Sequence, residues 1–172
     1  MSTQLNKPTE IDWARLAAYI DGEGCISLLY GNFRNRSGTS KKYLAVRVAI
    51  ANTDARLLIW LRETFGGCIQ CCESNRRSRT GRVVFTWTQG SAKAIRLLTE
   101  CLPYFVIKKD QAELAIAFHE LMPRRGQRHN PEMIITALSL KNQLSGLKRK
   151  AWAKADLALQ KLPTQRRNEY VN

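Results

Sequence analysis

The segment Leu16-Ala17-Ala18-Tyr19-Ile20-Asp21-Gly22-Glu23-Gly24 ends in two carboxylates separated by a single glycine. Glu23 offers hard oxygen ligands of the kind Mg2+ selects. By residue type alone it reads equally as a solvated carboxylate at a helix end, and the residues by themselves leave both readings open. Cys68 and Cys71 form a C-x-x-C pair. A structural zinc site needs four ligands, usually from two such pairs. No second pair follows, and His119 and His129 lie far beyond the usual spacing. The cysteines therefore read as small side chains of a strand.

The chain carries 28 Lys and Arg against 14 Asp and Glu, a formal charge of +14. That excess favours a polyanionic partner, nucleic acid ahead of an anionic membrane surface. The plain alternative is a soluble protein that is merely basic. The length of 172 residues suits one domain, and 44% hydrophobic residues supply a core and argue against global disorder. No 18-residue apolar run is present, and Met1 to Asp12 lacks the apolar stretch of a secretory signal, so no membrane partner is expected. The five cysteines are odd in number, which fits free thiols in a reducing compartment.

The elements that position these residues follow from periodicity. A polar arm precedes a helix capped by Thr9 or Asp12, with Leu16, Ala17 and Ile20 on its apolar side and glycines at its end. Strands are expected at Cys25–Tyr30, Tyr43–Ala51, Cys68–Glu73 and Val83–Thr88. Between them lies a helix opened by Asn52 to Asp54 and stopped by Gly66-Gly67, with an apolar face of Leu57, Leu58, Leu61 and Phe65. Further helices are expected from a Ser91 cap to Leu102, over Lys108–Glu120 and over Pro131–Leu147, with helical character extending towards Leu162. The order predicts an α+β fold, a four-stranded antiparallel sheet with helices on one face and the other face open. Phe85 and Trp87 share one side of the fourth strand. An aromatic pair is usually core, which turns Val84, Thr86 and Thr88 outward.

The segment Leu16–Gly24 resembles the LAGLIDADG motif in its opening Leu-Ala, its Ile-Asp pair, its second carboxylate and its closing glycine. It departs from the motif at Ala18, Tyr19, Gly22 and Glu23, where the small size of residues 18 and 22 and the carboxylate are kept. The resemblance extends over roughly residues 13–120. It includes Asn52-Thr53-Asp54 before the second helix and Pro103-Tyr104-Phe105-Val106-Ile107-Lys108-Lys109 downstream. It resembles the LAGLIDADG homing endonucleases of the single-motif, homodimeric type, because Leu16–Gly24 has no second copy.

That resemblance implies the αββαββα homing-endonuclease fold with its sheet as a DNA-binding saddle. The implied divisions are an arm at 1–12, the endonuclease domain at 13–147 and a basic helix and tail at 148–172. The implied activity is site-specific cleavage of both strands of a long pseudo-palindromic DNA, an intron-homing reaction that uses Mg2+. Mn2+ would substitute, and Ca2+ would bind without supporting cleavage. Glu23, Lys108, Asn52 and Arg56 are the implied catalytic residues, with Glu23 and the Gly22 backbone carbonyl as metal ligands. The homodimer seam would use Leu16, Ala17, Ala18, Ile20 and Asp21. The candidate DNA contacts are Ser27, Tyr43, Arg47 and Gln70 towards the bases, and Arg34, Arg36, Lys41, Lys42, Arg76, Arg77, Arg79 and Arg82 mainly towards the backbone. An intron origin implies a chloroplast or mitochondrion, or the interior of a prokaryotic cell. The alternative from another class is a maturase that binds intron RNA without cutting.

Overall fold

Thr9 opens the first helix through a capping box: its hydroxyl accepts from the Asp12 backbone N–H, and the Asp12 carboxylate accepts from the Thr9 backbone N–H at 2.9 Å. Such a cap stabilises a helix by about 1 kcal/mol. In this computed structural model the helix, α1, spans Glu10–Glu23. It therefore begins inside the arm expected at 1–12. The described residues are 7–34, 38, 40–72, 83–122 and 130–160, the side chains at 33–34, 40–42, 72 and 150–160 excepted.

The chain leaves α1 without a linker. A Cβ on Gly24 would stand 2.5 Å from Ile20 Cα and 2.8 Å from its carbonyl oxygen, so only glycine permits this exit. Strand β1 (Gly24–Arg34) pairs antiparallel with β2 (Ser40–Asn52). Asp54 then caps α2 (Ala55–Phe65) by accepting from Arg56 N–H. Strands β3 (Cys68–Cys72) and β4 (Val84–Gly90) complete an antiparallel sheet in the order β1-β2-β4-β3.

Helix α3 (Ser91–Cys101), a 3-10 turn (Leu102–Tyr104) and α4 (Lys109–Glu120) follow. Ser91 does not cap α3, contrary to the sequence expectation. Gly90 occupies the cap position with no side-chain bond, and Ser91 has a φ of 54° as the chain turns directly from strand to helix. Helix α5 runs unbroken over Pro131–Gln160, so no structural division falls at 147/148. Leu144, on the near side of that position, packs into the common core.

The architecture is α+β, with the helices packed on one face of the four-stranded antiparallel sheet. Ile26, Leu28, Val46, Val48, Ile50 and Trp87 point to the helices and are buried. They meet Leu16, Ala17 and Ile20 from α1, Leu58, Leu61 and Phe65 from α2, Leu97 and Leu98 from α3, and Ala115 and Phe118 from α4. Strand alternation turns Cys25, Ser27, Arg47, Ala49, Thr86 and Thr88 to the opposite face.

Trp87 explains why two glycines stop α2. Its indole N–H donates to the Gly66 carbonyl at 2.7 Å. Gly67, at a φ of +93°, lies so close that a Cβ would stand 2.7 Å from the indole nitrogen. Gly67→Ala should therefore lower stability by about 1–3 kcal/mol from backbone strain alone. The urea midpoint is the measurement; an unchanged midpoint contradicts this packing account.

Candidate active site and nucleic-acid interface

Glu23 is the last residue of α1 and its side chain is exposed. The pairing of Gly24 with Ile50 brings the end of β2 alongside the start of β1. Asn52 thereby reaches Glu23, donating from Nδ2 to Oε2 at 2.7 Å. Its other amide atom, Oδ1, accepts from Asp54 N–H at 2.8 Å, so the residue that orients Glu23 also shapes the entry to α2. Each end of the Asn52 amide is thus engaged, which fixes its direction.

Asp21 faces inward and is buried. Its carboxylate accepts three backbone N–H groups: Val106 at 2.8 Å, Ile107 at 3.2 Å and Lys108 at 2.8 Å. Lys108 answers in the other direction. Its ammonium donates to the carbonyls of Ile20 at 2.7 Å and Asp21 at 2.5 Å, at the electronegative end of α1. Two of its three N–H bonds are thereby used, leaving one for water or phosphate. Burial pushes the Lys108 ammonium below the ordinary lysine range, against the opposing pull of the Asp21 carboxylate.

Arg56 lies in the first turn of α2. Its guanidinium pairs with Asp54, Nη2 to Oδ2 at 2.6 Å, rather than with Glu23 or Asn52. The hydrogen bonds from Arg56 hold Asp54 at about 2, far into the ionised range. The arginine side chain remains exposed.

The seam expected at α1 also needs correction. Leu16, Ala17 and Ile20 are fully buried within their own chain, and Asp21 nearly so. They have no surface to offer a second molecule, because α1 must cover its own sheet. Of the expected set, Ala18 is exposed. With Ile11, Arg15 and Gly22 it forms the outward stripe of the helix, at spacings of three and four.

The open sheet face holds several of the predicted contact residues. Ser27 and Arg47 face each other across β1 and β2 at the end near Glu23. Tyr43 lies opposite Gly31, whose missing side chain makes room for the phenol ring. Gln70 stands across from Thr86 at the β3 side. Among the described side chains of this face, Arg47 is charged and none is acidic, a surface suited to a polyanion. Arg34, Lys41 and Lys42 belong to the far end of the β1–β2 hairpin by backbone register. Their side chains, and Arg36, Arg76, Arg77, Arg79 and Arg82 altogether, lie outside the described residues.

A further residue, Lys148 on α5, enters this region although the sequence reading did not single it out. Its Nζ donates to the Ile26 carbonyl at 2.7 Å and lies 3.5 Å from Cys25 Sγ. Cys25 Sγ is also 3.3 Å from Ser27 Oγ. Burial opposes ionisation of this thiol, but the Ser27 hydrogen bond and the Lys148 and Arg47 charges together set it below its ordinary value. The signal was legible: Ala137, Lys141, Leu144 and Lys148 recur at helical spacing on the packed side of α5.

Among the described residues, no group of three His, Cys, Asp or Glu side chains converges as a metal centre. The exposed carboxylate at the foot of α1 is Glu23, and no described side chain donates to the neighbouring Gly22 carbonyl. This hard-oxygen pair suits Mg2+ and needs oxygen ligands from outside the chain to complete a shell.

No protein-family profile matches the sequence, and no curated protein matches it. Solved structures do match in shape. The homing endonuclease I-CvuI, in complex with its target in the presence of calcium, superposes with a TM-score of 0.63 at 18% identity, over 80% of this chain and 82% of that one. The archaeal intron-encoded homing endonuclease I-Vdi141I, complexed with DNA, gives 0.60 at 17% identity, over 80% and 84%. The I-LtrWI LAGLIDADG homing endonuclease, bound to target DNA, gives 0.55 at 16% identity, with 83% of this chain covering 46% of that longer one. The class this defines is one of fold: the chain has the LAGLIDADG homing-endonuclease fold.

The Asp21 clamp yields a direct test. Asn at position 21 would turn an N–H2 group towards backbone N–H donors. Asp21→Asn should cost about 1.5–3 kcal/mol, the worth of a hydrogen bond to a charged group, and speed amide exchange at 106–108. Unchanged exchange there would remove Asp21 from its anchoring role.

Proposed function

We propose that the chain is a LAGLIDADG homing endonuclease, acting as a homodimer that cuts both strands of a DNA duplex with a divalent metal. The observation that carries the reading is the Glu23 carboxylate, exposed at the foot of α1, oriented by Asn52 and placed beside the end held by Asp21 and Lys108. The fold shared with DNA-bound endonucleases and the excess of 14 positive charges support it.

Hydrolysis of a phosphodiester requires water to attack phosphorus, one P–O bond to break and the departing oxygen to gain a proton. Mg2+, when bound, would neutralise phosphate charge and favour an ionised water. The chain's own residues do the rest. Glu23 and the Gly22 carbonyl would hold the cation, and Asn52 fixes the direction of the Glu23 carboxylate. Lys108 directs its remaining N–H to phosphate or water and offsets the charge that builds during attack. Arg56 exchanges its Asp54 partner for a backbone phosphate. Mn2+ would replace Mg2+, and Ca2+ would bind without supporting the reaction. The open sheet face receives the duplex, and strands in the major groove read base edges while loop cations hold the backbone. An intron-encoded origin in an organelle or a prokaryotic cell accompanies this reading.

The dimer proposal rests on surface. Ile11 is 67% exposed on α1, and Val106 and Ile107, anchored at its end, are 88% and 64% exposed. Tyr19 is also an exposed apolar side chain of α1, its ring 6.1 Å from that of Trp60. Pairing α1 with its copy covers these apolar side chains, and small Ala18 and Gly22 permit the close crossing. The two Glu23 carboxylates then sit under one duplex.

Two measurements test these proposals. Glu23→Gln should lose strand cleavage of the target in Mg2+ by at least about 10²-fold, as for removal of one charge-stabilising group, while its DNA footprint persists. Robust cleavage by the variant removes Glu23 from the chemistry. A parent that binds intron RNA and cuts no DNA favours the maturase alternative. Sedimentation at micromolar concentration should give twice the chain mass, reduced to a monomer by Ala18→Glu, which places a charge on an exposed position of the seam. A parent that stays monomeric overturns the two-fold arrangement.

A further inference from the structure

Helix α5 carries a cation into the cutting region from outside the sheet. Its packed stripe runs through Ala137 and Leu144, which are buried, and reaches Lys148 four residues later. An inward lysine costs desolvation unless its ammonium finds acceptors. Here Nζ finds the Ile26 carbonyl at 2.7 Å on β1, the edge strand. Its second neighbour is the Cys25 thiol at 3.5 Å, a weak and easily displaced acceptor. At least one N–H of the ammonium is thus free for a stronger partner. Among the described residues the one ion pair is Arg56 with Asp54, so the Lys148 charge has no carboxylate beside it.

The surroundings point to an anion. Cys25 lies two residues after Glu23 and is exposed, and Ser27 is 3.3 Å from its sulfur. Arg47 pairs in register with Ser27 on the same open face. Two cations and a hydroxyl therefore gather within one strand's reach of the proposed cutting carboxylate. We propose that Lys148, with Arg47 and Ser27, forms a station for a DNA-backbone phosphate next to the one that is cut. Helix α5 is then part of the DNA-binding surface, and Lys148 couples its position to the start of β1. The inference rests on the DNA-cutting reading and adds a phosphate-binding position to it.

The test is the salt dependence of binding to a duplex DNA of random sequence, between 50 and 200 mM salt. The parent should show a steep slope, because an interface with 6–10 phosphate contacts loses roughly 10³–10⁵-fold in affinity over that range. Lys148→Gln should lower the slope by about 0.9 for each phosphate it no longer neutralises, hence by about 2 for the dimer. Lys148→Met, which keeps the stem packed, should do the same and serves if glutamine does not fold. Lys148→Arg, which keeps the charge, should retain the parent slope, and so should Lys93→Gln at an exposed position of α3.

A steep parent slope left unchanged by removing the Lys148 charge overturns the inference and leaves the DNA-cutting reading standing. Equal decreases of slope and thermal stability in the Gln, Met and Arg variants reduce Lys148 to a tie between α5 and β1, and overturn it too. A parent with a flat salt response, or one that binds folded RNA and no duplex, overturns both together.

Discussion

The geometry of the site depends on a reciprocal clamp between the end of α1 and the segment before α4. The Asp21 carboxylate gathers three backbone N–H groups from residues 106–108, and Lys108 returns its ammonium to the last carbonyls of α1. Each half satisfies groups that burial would leave costly: a carboxylate needs donors, and a helix end has unpaired carbonyls. The clamp joins residues 87 positions apart. It fixes Lys108 against the end of α1, and the two acidic residues of one segment end up in unlike surroundings. Asp21 is buried among backbone donors, and Glu23 is exposed with Asn52 donating to it.

Glu23 is free because α1 stops where it does. Gly24 lets the backbone turn at van der Waals contact with Ile20 and enter the sheet at once. The strand register then delivers Asn52 to Glu23. Helix end, strand start and the neighbouring strand's end meet within a few residues, and the open face of the sheet begins there. The buried face holds the aliphatic side chains and Trp87, while the open one carries Ser27, Arg47, Thr86 and Gln70. Charge and shape on that face follow from alternation along each strand.

The local elements were readable because each has a short-range cause. Thr9 and Asp54 cap helices with side-chain oxygens, Gly66-Gly67 ends α2, and β-branched alternation marks the strands. Trp87 falls on the buried face that an aromatic pair on β4 implied. Ser91 is the exception, since the strand-to-helix turn overrode its capping preference. The division at 147/148 also gave way, because the packed stripe of α5 continues through it to Lys148.

The sequence by itself determined the type and order of the elements and the position of Glu23 at a helix end, because periodicity, caps and glycines act over a few residues. It also carried the likeness on which Asn52 and Lys108 were placed at the site. Tertiary structure decided which side of α1 faces the core, and it withdrew Leu16, Ala17, Ile20 and Asp21 from the outer surface. It brought Lys148 across 122 positions to Ile26. Partner choice of this kind depends on distances set by packing the whole sheet and its helices, and no local spacing encodes them.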